Sequence, residues 1–404
     1  MTGSQQGLDV LALNSGSSSL KFGLYRVGPD SLEILMSGAA DAIGDKAGQL
    51  NARDGAGRAL LQEDEAIADQ GQAIARIAKL LAEHDLPLPA AIGHRIVHGG
   101  PTLRQHCLID GSVLEQLEAA TAFAPLHMPS VLTVIRFAQA HFPDIPQIAC
   151  FDTAFHAQLP DVSRVLPLPR ELRSDGIQRY GFHGLSCESI VRQTADGPPD
   201  RMIIAHLGNG ASITAVKGGK SVDTSMGLTP SGGVIMGTRS GDIDPGVLVY
   251  LTREKNFDAA KLEDMIDHRS GLLGISGVSG DMRALQAAAP SNADAALAIQ
   301  MFCYSVRKQV AAMIAALEGV DLIVFTGGVG ENDADARAAI CDGLGWMGIS
   351  LDQTCNRSAH EVISSADSRC AVRVLPSQED EQIAWHTWAL CPKTPGGLAD
   401  DPLR

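Results

Sequence analysis

Apolar and polar positions along the chain follow two periods. Short apolar runs, bounded by Gly, Asn, Asp or Pro, predict strands at 10–13, 22–27, 92–97, 147–151, 202–206, 212–216, 321–325 and 371–375. Longer segments with apolar residues every three or four positions predict helices at about 66–84, 130–141, 185–194, 246–253, 257–268, 293–317 and 379–390. In 293–317, the longest, Ala298, Phe302, Val306, Val310 and Ile314 recur at helical spacing. Strands that alternate with helices imply the α/β class, with sheets at least partly parallel.

The pattern also echoes itself. LALNSGSSSLKFGLYRV (11–27) lies well against IAHLGNGASITAVKGGK (204–220). Each is an apolar strand, a glycine-containing polar turn and a second strand, and the copies sit about half a chain apart. Two ordinary hairpins would look the same, so duplication and coincidence both stand at this level. The 404 residues exceed one ordinary core. We expect an N-terminal domain over 1–150, a C-terminal domain over 151–379, and a tail at 393–404, rich in Pro, Gly and Asp, that frays.

Composition narrows the class. Apolar residues make up 45% and charged residues 20%, as in a soluble globular protein. Aromatics are only 4%, so the core must lean on Ala, Leu, Ile and Val. The formal net charge of −15 argues against broad nucleic-acid binding, which needs a basic surface. An acidic protein that handles anions must gather its few cations locally. The start, MTGSQQGLDV, has neither the basic region nor the apolar core of a signal peptide, and no apolar stretch reaches membrane-spanning length. Eight cysteines show no CxxC spacing, which predicts reduced, mostly buried thiols in a cytosolic protein and no structural zinc.

Three glycine-rich turns follow strands: NSGSSS (14–19), LGNGAS (207–212) and FTGGVGEN (325–332). Glycine lets backbone N–H groups approach a phosphate closely, and three such turns point to a nucleotide. The two common nucleotide fingerprints fail. Thr214 stands where GxxxxGK[ST] needs its first glycine, and Ile213 stands where GxGxxG from Gly208 needs its third. In the first turn Asn14, Ser17 and Ser19 offer neutral donors and acceptors, and Lys21 adds a cation. A phosphate, a hydrated metal or plain solvent would satisfy them equally.

Other cations stand in glycine-bounded settings. GHRIVHGGP (93–101) puts Arg95 and Val97 on one side of a strand, and GTRSGDIDPG (237–246) sets Arg239 beside Asp242 and Asp244. YGFHGLS (180–186) places His183 between glycines, and FDTAFH (151–156) sets Asp152 just after a strand, where α/β sheets carry active-site groups. His94 and His98 lack a third metal ligand. No GxSxG occurs. Two arginines, a histidine, carboxylates and glycine turns, without an obvious nucleophile, suit phosphoryl transfer, which needs positioning and charge neutralisation.

From about residue 8 to 390 the chain resembles the acetate kinase family, of the superfamily of acetate and sugar kinases, heat-shock ATPases and actin. The blocks that carry this are NSGSSSLK, GHRIVHGG, APLHMP, FDTAFH, RYGFHG, HLGNGAS, DTSMGLTP, MGTRSGDIDPG, SGLLGISGVSGDMR and FTGGVGEN. The resemblance implies two duplicated actin-like ATPase (ribonuclease H-like) domains flanking a central cleft, with the C-terminal helix, about 380–392, joining the first domain. It implies reversible ATP- and Mg-dependent phosphorylation of acetate to acetyl phosphate by direct in-line transfer, Mn²⁺ being the alternative metal. The family is expected to be a cytoplasmic homodimer that binds neither nucleic acid nor membrane.

By the same resemblance, Asn14 and Glu379 would hold the metal, and Ser17, Ser19 and Lys21 would line the phosphate path. Arg95 and Arg239 would grip the carboxylate and the transferred phosphoryl group. Asp152 would orient an arginine or the metal, His183 would donate to the transferring oxygens, and His127 would support the phosphate. Val97, Leu126, Phe182 and Pro230 would surround the acid's methyl group. The segments His206-Leu207-Gly208-Asn209-Gly210, Asp281-Met282-Arg283 and Gly327-Gly328-Val329-Gly330-Glu331-Asn332 would hold ATP. The chain departs from the family pattern at Met128, at Leu185 and Cys187, at Ser231-Gly232, and around Glu379 in PSQED. Propionate is the alternative acceptor. A non-catalytic ATP-binding relative would lack the anion-gripping arginines, both present here, and an actin-like filament former would need no carboxylate pocket.

Overall fold

The computed structural model describes residues 7–392 apart from Ser17, Ala195, Asp196, Pro198 and Ala359. Ser17, expected on the phosphate path, and the tail expected to fray, 393–404, lie outside the described residues. The chain divides into two compact units. One comprises 1–154 with the returning segment 379–404, and the other is the continuous stretch 155–378.

In the first unit the strands are β1 (Leu8–Ser15), β2 (Leu20–Gly28), β3 (Ser31–Asp41), β4 (Gln49–Asp54), β5 (Ala59–Glu63), β6 (Ala91–Ile96), β7 (Cys107–Leu108) and β8 (Gln147–Phe151). They form one sheet in the order β5-β4-β3-β2-β1-β6-β8-β7. β1 to β5 run as an antiparallel meander, while β6 lies parallel to both β1 and β8. In the second unit β9 (Arg201–Leu207), β10 (Ala211–Lys217), β11 (Lys220–Thr224), β12 (Leu322–Thr326) and β13 (Ala371–Val374) take the order β11-β10-β9-β12-β13. β9 to β11 are antiparallel, and β12 is parallel to β9 and β13. The run β3-β2-β1-β6-β8 therefore has the same order and directions as β11-β10-β9-β12-β13. The two halves of the sequence echo, β1-β2 and β9-β10, occupy equivalent central positions. The fold is α/β, with two duplicated actin-like ATPase (ribonuclease H-like) domains.

Alternation along the strands decides what each face of the first sheet meets. Leu11, Leu13, Leu20, Phe22, Leu24 and Ile92 form a core with Ile74, Ile77 and Leu81 of the helix Gln70–Glu83 and Val134 and Ala138 of the helix Met128–His141. The opposite face receives the helix Glu379–Leu390. That helix comes so close that a β-carbon on Gly93 would stand 2.1 Å from Thr387 Oγ1 and 2.6 Å from Ile383 Cγ2. Gly93 thus sets how near the terminal helix can lie.

Most expected elements appear, with boundaries adjusted by caps. The helix predicted from 66 begins at Gln70, because the Asp69 side chain accepts from Gln72 N and stops the helix there. Asn292 caps the helix Ala293–Leu317 through Asp294 N and Ala295 N, at the predicted bounds. β3, β4 and β5 were not predicted. β3 mixes an LEILM run with the small residues of SGAA, and β4 and β5 are only six and five residues long and half exposed, so no sustained apolar alternation marks them. Among the described residues, no helix is long and apolar enough to cross a membrane. Burial pushes the Cys303 thiol up to about 11 and those of Cys341 and Cys370 to about 12, so these sulfurs stay protonated and inert.

His94 and His98 are fully buried, and they serve packing. His94 Nε2–H donates to Gln147 Oε1 at 2.8 Å, and His98 Nδ1 accepts from Gly100 N at 2.8 Å. Burial holds His94 down to about 4, and His156 of the second unit equally to about 4. Both rings are neutral in the fold, whereas the unfolded chain takes up protons below about pH 6.5. The unfolded state then binds more protons, so stability must fall as pH drops from about 6.5 towards 4. The loss is on the order of 3 kcal/mol for each histidine. Urea unfolding between pH 7 and 4.5 should show this decline, with a shallower slope in His94→Asn; equal stability across the range would contradict it.

Candidate active site

In the first unit a polar cluster is built where β1, β6 and β8 end. Asp152 follows β8, its N–H donates to Ile96 O, and its side chain is 1% exposed. Arg95 on β6 meets it with a two-pronged contact: Nε donates to both carboxylate oxygens at 3.0 and 3.1 Å, and Nη2 to Oδ2 at 2.6 Å. Nη1 donates to Asn14 Oδ1 at 3.2 Å. A guanidinium has five N–H groups, so this geometry fixes its plane and still leaves donors to offer a ligand. Burial works against the Arg95 charge, yet Asp152 and Glu379 raise its pKa above the ordinary arginine value, so the cation is permanent.

Asn14 is the hinge between this pair and the terminal helix. Its Nδ2 donates to Glu379 Oε2 at 3.3 Å and to Asp380 Oδ1 at 2.9 Å. Two carboxylates from the first turn of the helix Glu379–Leu390 therefore converge beside Arg95. Burial raises the Asp380 carboxyl, Asn14 lowers it, Glu379 raises it again, and Lys21 and Arg95 offset this only in part. Lys21 stands directly across from Asn14 in the β1-β2 register. A pair of hard oxygen donors with surplus negative charge fits a hard divalent cation. Asn14 and Glu379 are thus brought together as expected, and Asp380 joins them unexpectedly. The turn between β1 and β2 is closed by Gly16 N donating to Ser19 O at 2.8 Å, and Ser130 Oγ donates to Gly16 O at 3.0 Å. Val97 is buried, while Leu126 is exposed and His127 half-buried on the turn entering the helix Met128–His141.

In the second unit a separate cluster centres on the turn Gly208 to Gly210 between β9 and β10. A β-carbon on Gly210 would stand 3.3 Å from both His183 Nε2 and Arg239 Nη1, so a histidine and an arginine close on one point of this turn. His183 is in the left-handed region at φ 57°, a conformation that costs a non-glycine residue about 1–3 kcal/mol. Its ring is held by Ser212 Oγ at Nδ1, 2.9 Å away, and by stacking on His206 with centroids 4.1 Å apart. His206 Nδ1 meets Ser186 Oγ at 2.8 Å, and Ser377 Oγ donates to Ser186 Oγ at 3.0 Å. Behind His183, His156 Nε2–H donates to Phe182 O at 3.0 Å. Gly181, at φ 74°, has no room for a side chain against that imidazole. Arg239 Nη1 also donates to Pro230 O at 3.3 Å, and Phe182 is buried.

A cavity of about 620 Å³ opens beside the turn. Gly208, Asn209, Asp281, Met282, Arg283, Gly328, Val329 and Asn332 all line it, as expected of a nucleotide site. Asp281 caps the helix Met282–Ala288 and pairs with Arg283 at 2.9 Å. The other expected nucleotide residues are not on the wall. Leu207, Gly327 and Gly330 are buried beneath it, and His206 belongs to the histidine stack. Glu331 is a brace: its Oε1 accepts from Gly327 N and Ser377 N, both at 2.9 Å. Sequence reasoning missed Arg337, which is 2% exposed and donates to Gly330 O, Glu331 O, Asn356 Oδ1 and Asn356 O, tying the loop down.

The positions that depart from the family pattern mostly face inward. Met128, Leu185 and Cys187 are fully buried. Ser231 Oγ donates to Asp267, and Gln378 Oε1 accepts from Arg192 at 2.9 Å.

Known proteins resemble this chain over nearly its whole length. The family model described as the acetokinase family matches residues 9–385. An acetate kinase of Nitrobacter hamburgensis is 42% identical over 389 residues, which is 94% of this chain and 96% of that protein. A propionate kinase from Francisella tularensis superposes with a TM-score of 0.89 at 38% identity, covering 95% of this chain and 100% of that one. A Porphyromonas gingivalis acetate kinase superposes with a TM-score of 0.85 at 36% identity, covering 95% and 100%. The chain therefore belongs to the acetokinase family, whose activity is that of a carboxyl-group phosphotransferase.

Proposed function

We propose that this protein transfers the γ-phosphoryl group of ATP to acetate, reversibly, and that Mg²⁺ is the divalent metal. The observation that carries the reading is the convergence of His183 Nε2 and Arg239 Nη1 at Gly210. Two donors aimed at one point, beside a nucleotide-sized cavity, suit the equatorial oxygens of a phosphoryl group in transfer. Acetate is ionised at pH 7, so no general base is required. One carboxylate oxygen attacks phosphorus, the bond to the bridging oxygen of ADP breaks, and no phosphoenzyme forms.

Repulsion between two anions is the barrier to be lowered. Arg95, oriented by Asp152, takes the carboxylate of the acid, and His183 and Arg239 take the charge that develops on the phosphoryl oxygens. Asn14, Glu379 and Asp380 hold the metal, which when bound neutralises phosphate charge. Val97, Leu126, Phe182 and Pro230 are assigned to the methyl group, and Ser19, Lys21 and His127 to the phosphates. Propionate is the second reading, favoured by the likeness to the Francisella tularensis enzyme. One methylene alters binding by only about 1–3 kcal/mol.

A cytoplasmic homodimer completes the proposal. Leu297, Met301 and Tyr304 recur on one side of the helix Ala293–Leu317 and are 46%, 38% and 59% exposed. An apolar stripe of this kind suits association with a second copy.

The deciding assay is hydroxylamine trapping of acyl phosphate, with Mg-ATP and acetate, propionate, butyrate or no acid in separate reactions. Product should depend on the acid, with acetate preferred; ATP hydrolysis without acyl phosphate would refute the kinase reading. Arg239→Ala should lower turnover by at least about 10²-fold, the loss of one preorganised charge-stabilising donor. Near-normal turnover in that variant would remove Arg239 from the mechanism. Light scattering should give a dimer mass for the wild type and a monomer for Tyr304→Glu, and a dimeric variant would place the interface elsewhere.

A further inference from the structure

The clearest unassigned feature near the histidine is a hydroxyl in an otherwise apolar place. Ser212 is the second residue of β10 and is 0% exposed. Alanine and isoleucine flank it, and both are also fully buried. A buried hydroxyl is costly unless it is bonded, and the Ser212 hydroxyl meets His183 Nδ1 at 2.9 Å. We propose that Ser212 is a positioning residue of the phosphoryl-transfer site, holding the imidazole of His183 with its Nε2 turned towards the Gly210 turn. This deepens the reading of His183 as the transition-state donor and rests on it.

The chemistry of the two ring nitrogens explains the choice of serine. The ring can lie either way over, exchanging each nitrogen for a carbon, and only one way puts Nδ1 against Ser212. The stack on His206 at 4.1 Å limits the ring to that plane. A hydroxyl can donate to bare Nδ1 of a neutral ring, and the proton then resides on Nε2. It can equally accept from Nδ1–H of an imidazolium, and Nε2 again carries hydrogen. Serine therefore serves both charge states without moving, as an acceptor-only carboxylate would not. Nε2 is the nitrogen that closes on the Gly210 turn alongside Arg239. The left-handed backbone at His183 delivers the ring, and Ser212 selects its orientation.

The test is a double-mutant cycle on turnover with acetate and Mg-ATP. Ser212→Ala should lower kcat by about tenfold or more while KM for each substrate stays within about twofold, since a donor is lost only in the transition state. In a His183→Ala background the same substitution should cost nothing further. Equal losses in both backgrounds would mark Ser212 as a packing residue and overturn the proposal, as would turnover within twofold of wild type in Ser212→Ala. Wild-type turnover in His183→Ala alone would instead overturn the underlying role of His183, so the two failures are distinguishable. Thermal melting checks folding. If Ser212→Ala does not fold, Ser212→Cys, which keeps the volume with a weaker donor, replaces it, and the same coupling to His183 is required.

Discussion

The ion pair of Asp152 and Arg95 is the interaction on which the first unit's polar cluster depends. A carboxylate that is 1% exposed has lost nearly all its water, and such a charge persists only when a partner and hydrogen bonds replace the solvent. Arg95 supplies both through a fork that matches the carboxylate in its own plane. Once the fork is fixed, Nη1 reaches Asn14, Asn14 reaches Glu379 and Asp380, and the terminal helix is registered on the sheet. A lysine in place of Arg95 would keep the charge and lose the plane, so the chain of contacts would end at its first link.

The cluster in the second unit solves a different problem with different means. Its charged groups must approach backbone closely, and glycine removes the obstacle at Gly210 and Gly181. Rigidity then comes from behind, through imidazoles, hydroxyls and one buried guanidinium. His156 supports the backbone of Phe182, Ser186 supports His206, and Arg337 supports the loop from Gly330 to Glu331. The departures at Met128, Leu185 and Cys187 fall among buried positions of this kind, where a change of side chain is met by a change of neighbour.

Legibility from sequence follows the same division. Elements with strong periodicity, such as 293–317, were legible because a long helix announces its buried face many times over. The meander β3-β4-β5 was not, because short, half-covered strands with few apolar positions repeat their pattern too few times. Arg95, Asp152, His183 and Arg239 stood out beside glycines or at strand ends. Asp380, Ser212, His156 and Arg337 did not, because their importance comes from partners far away in sequence; Arg337 and Asn356, for example, are held together across a whole helix and turn. Glu331 was legible as part of a motif, though its contacts with Gly327 and Ser377 make it a brace.

The return of the last helix to the first sheet orders events during synthesis. The unit 155–378 is continuous, so all of its strands and helices are available once that stretch has left the ribosome. The first unit lacks one layer until Glu379–Leu390 emerges, and until then the sheet face around Gly93 has nothing against it. The piece made first is therefore the piece finished last. The same helix brings the two carboxylates that Asn14 meets, so the contacts of Asn14 with Glu379 and Asp380 and the full compaction of the first unit become the same late step.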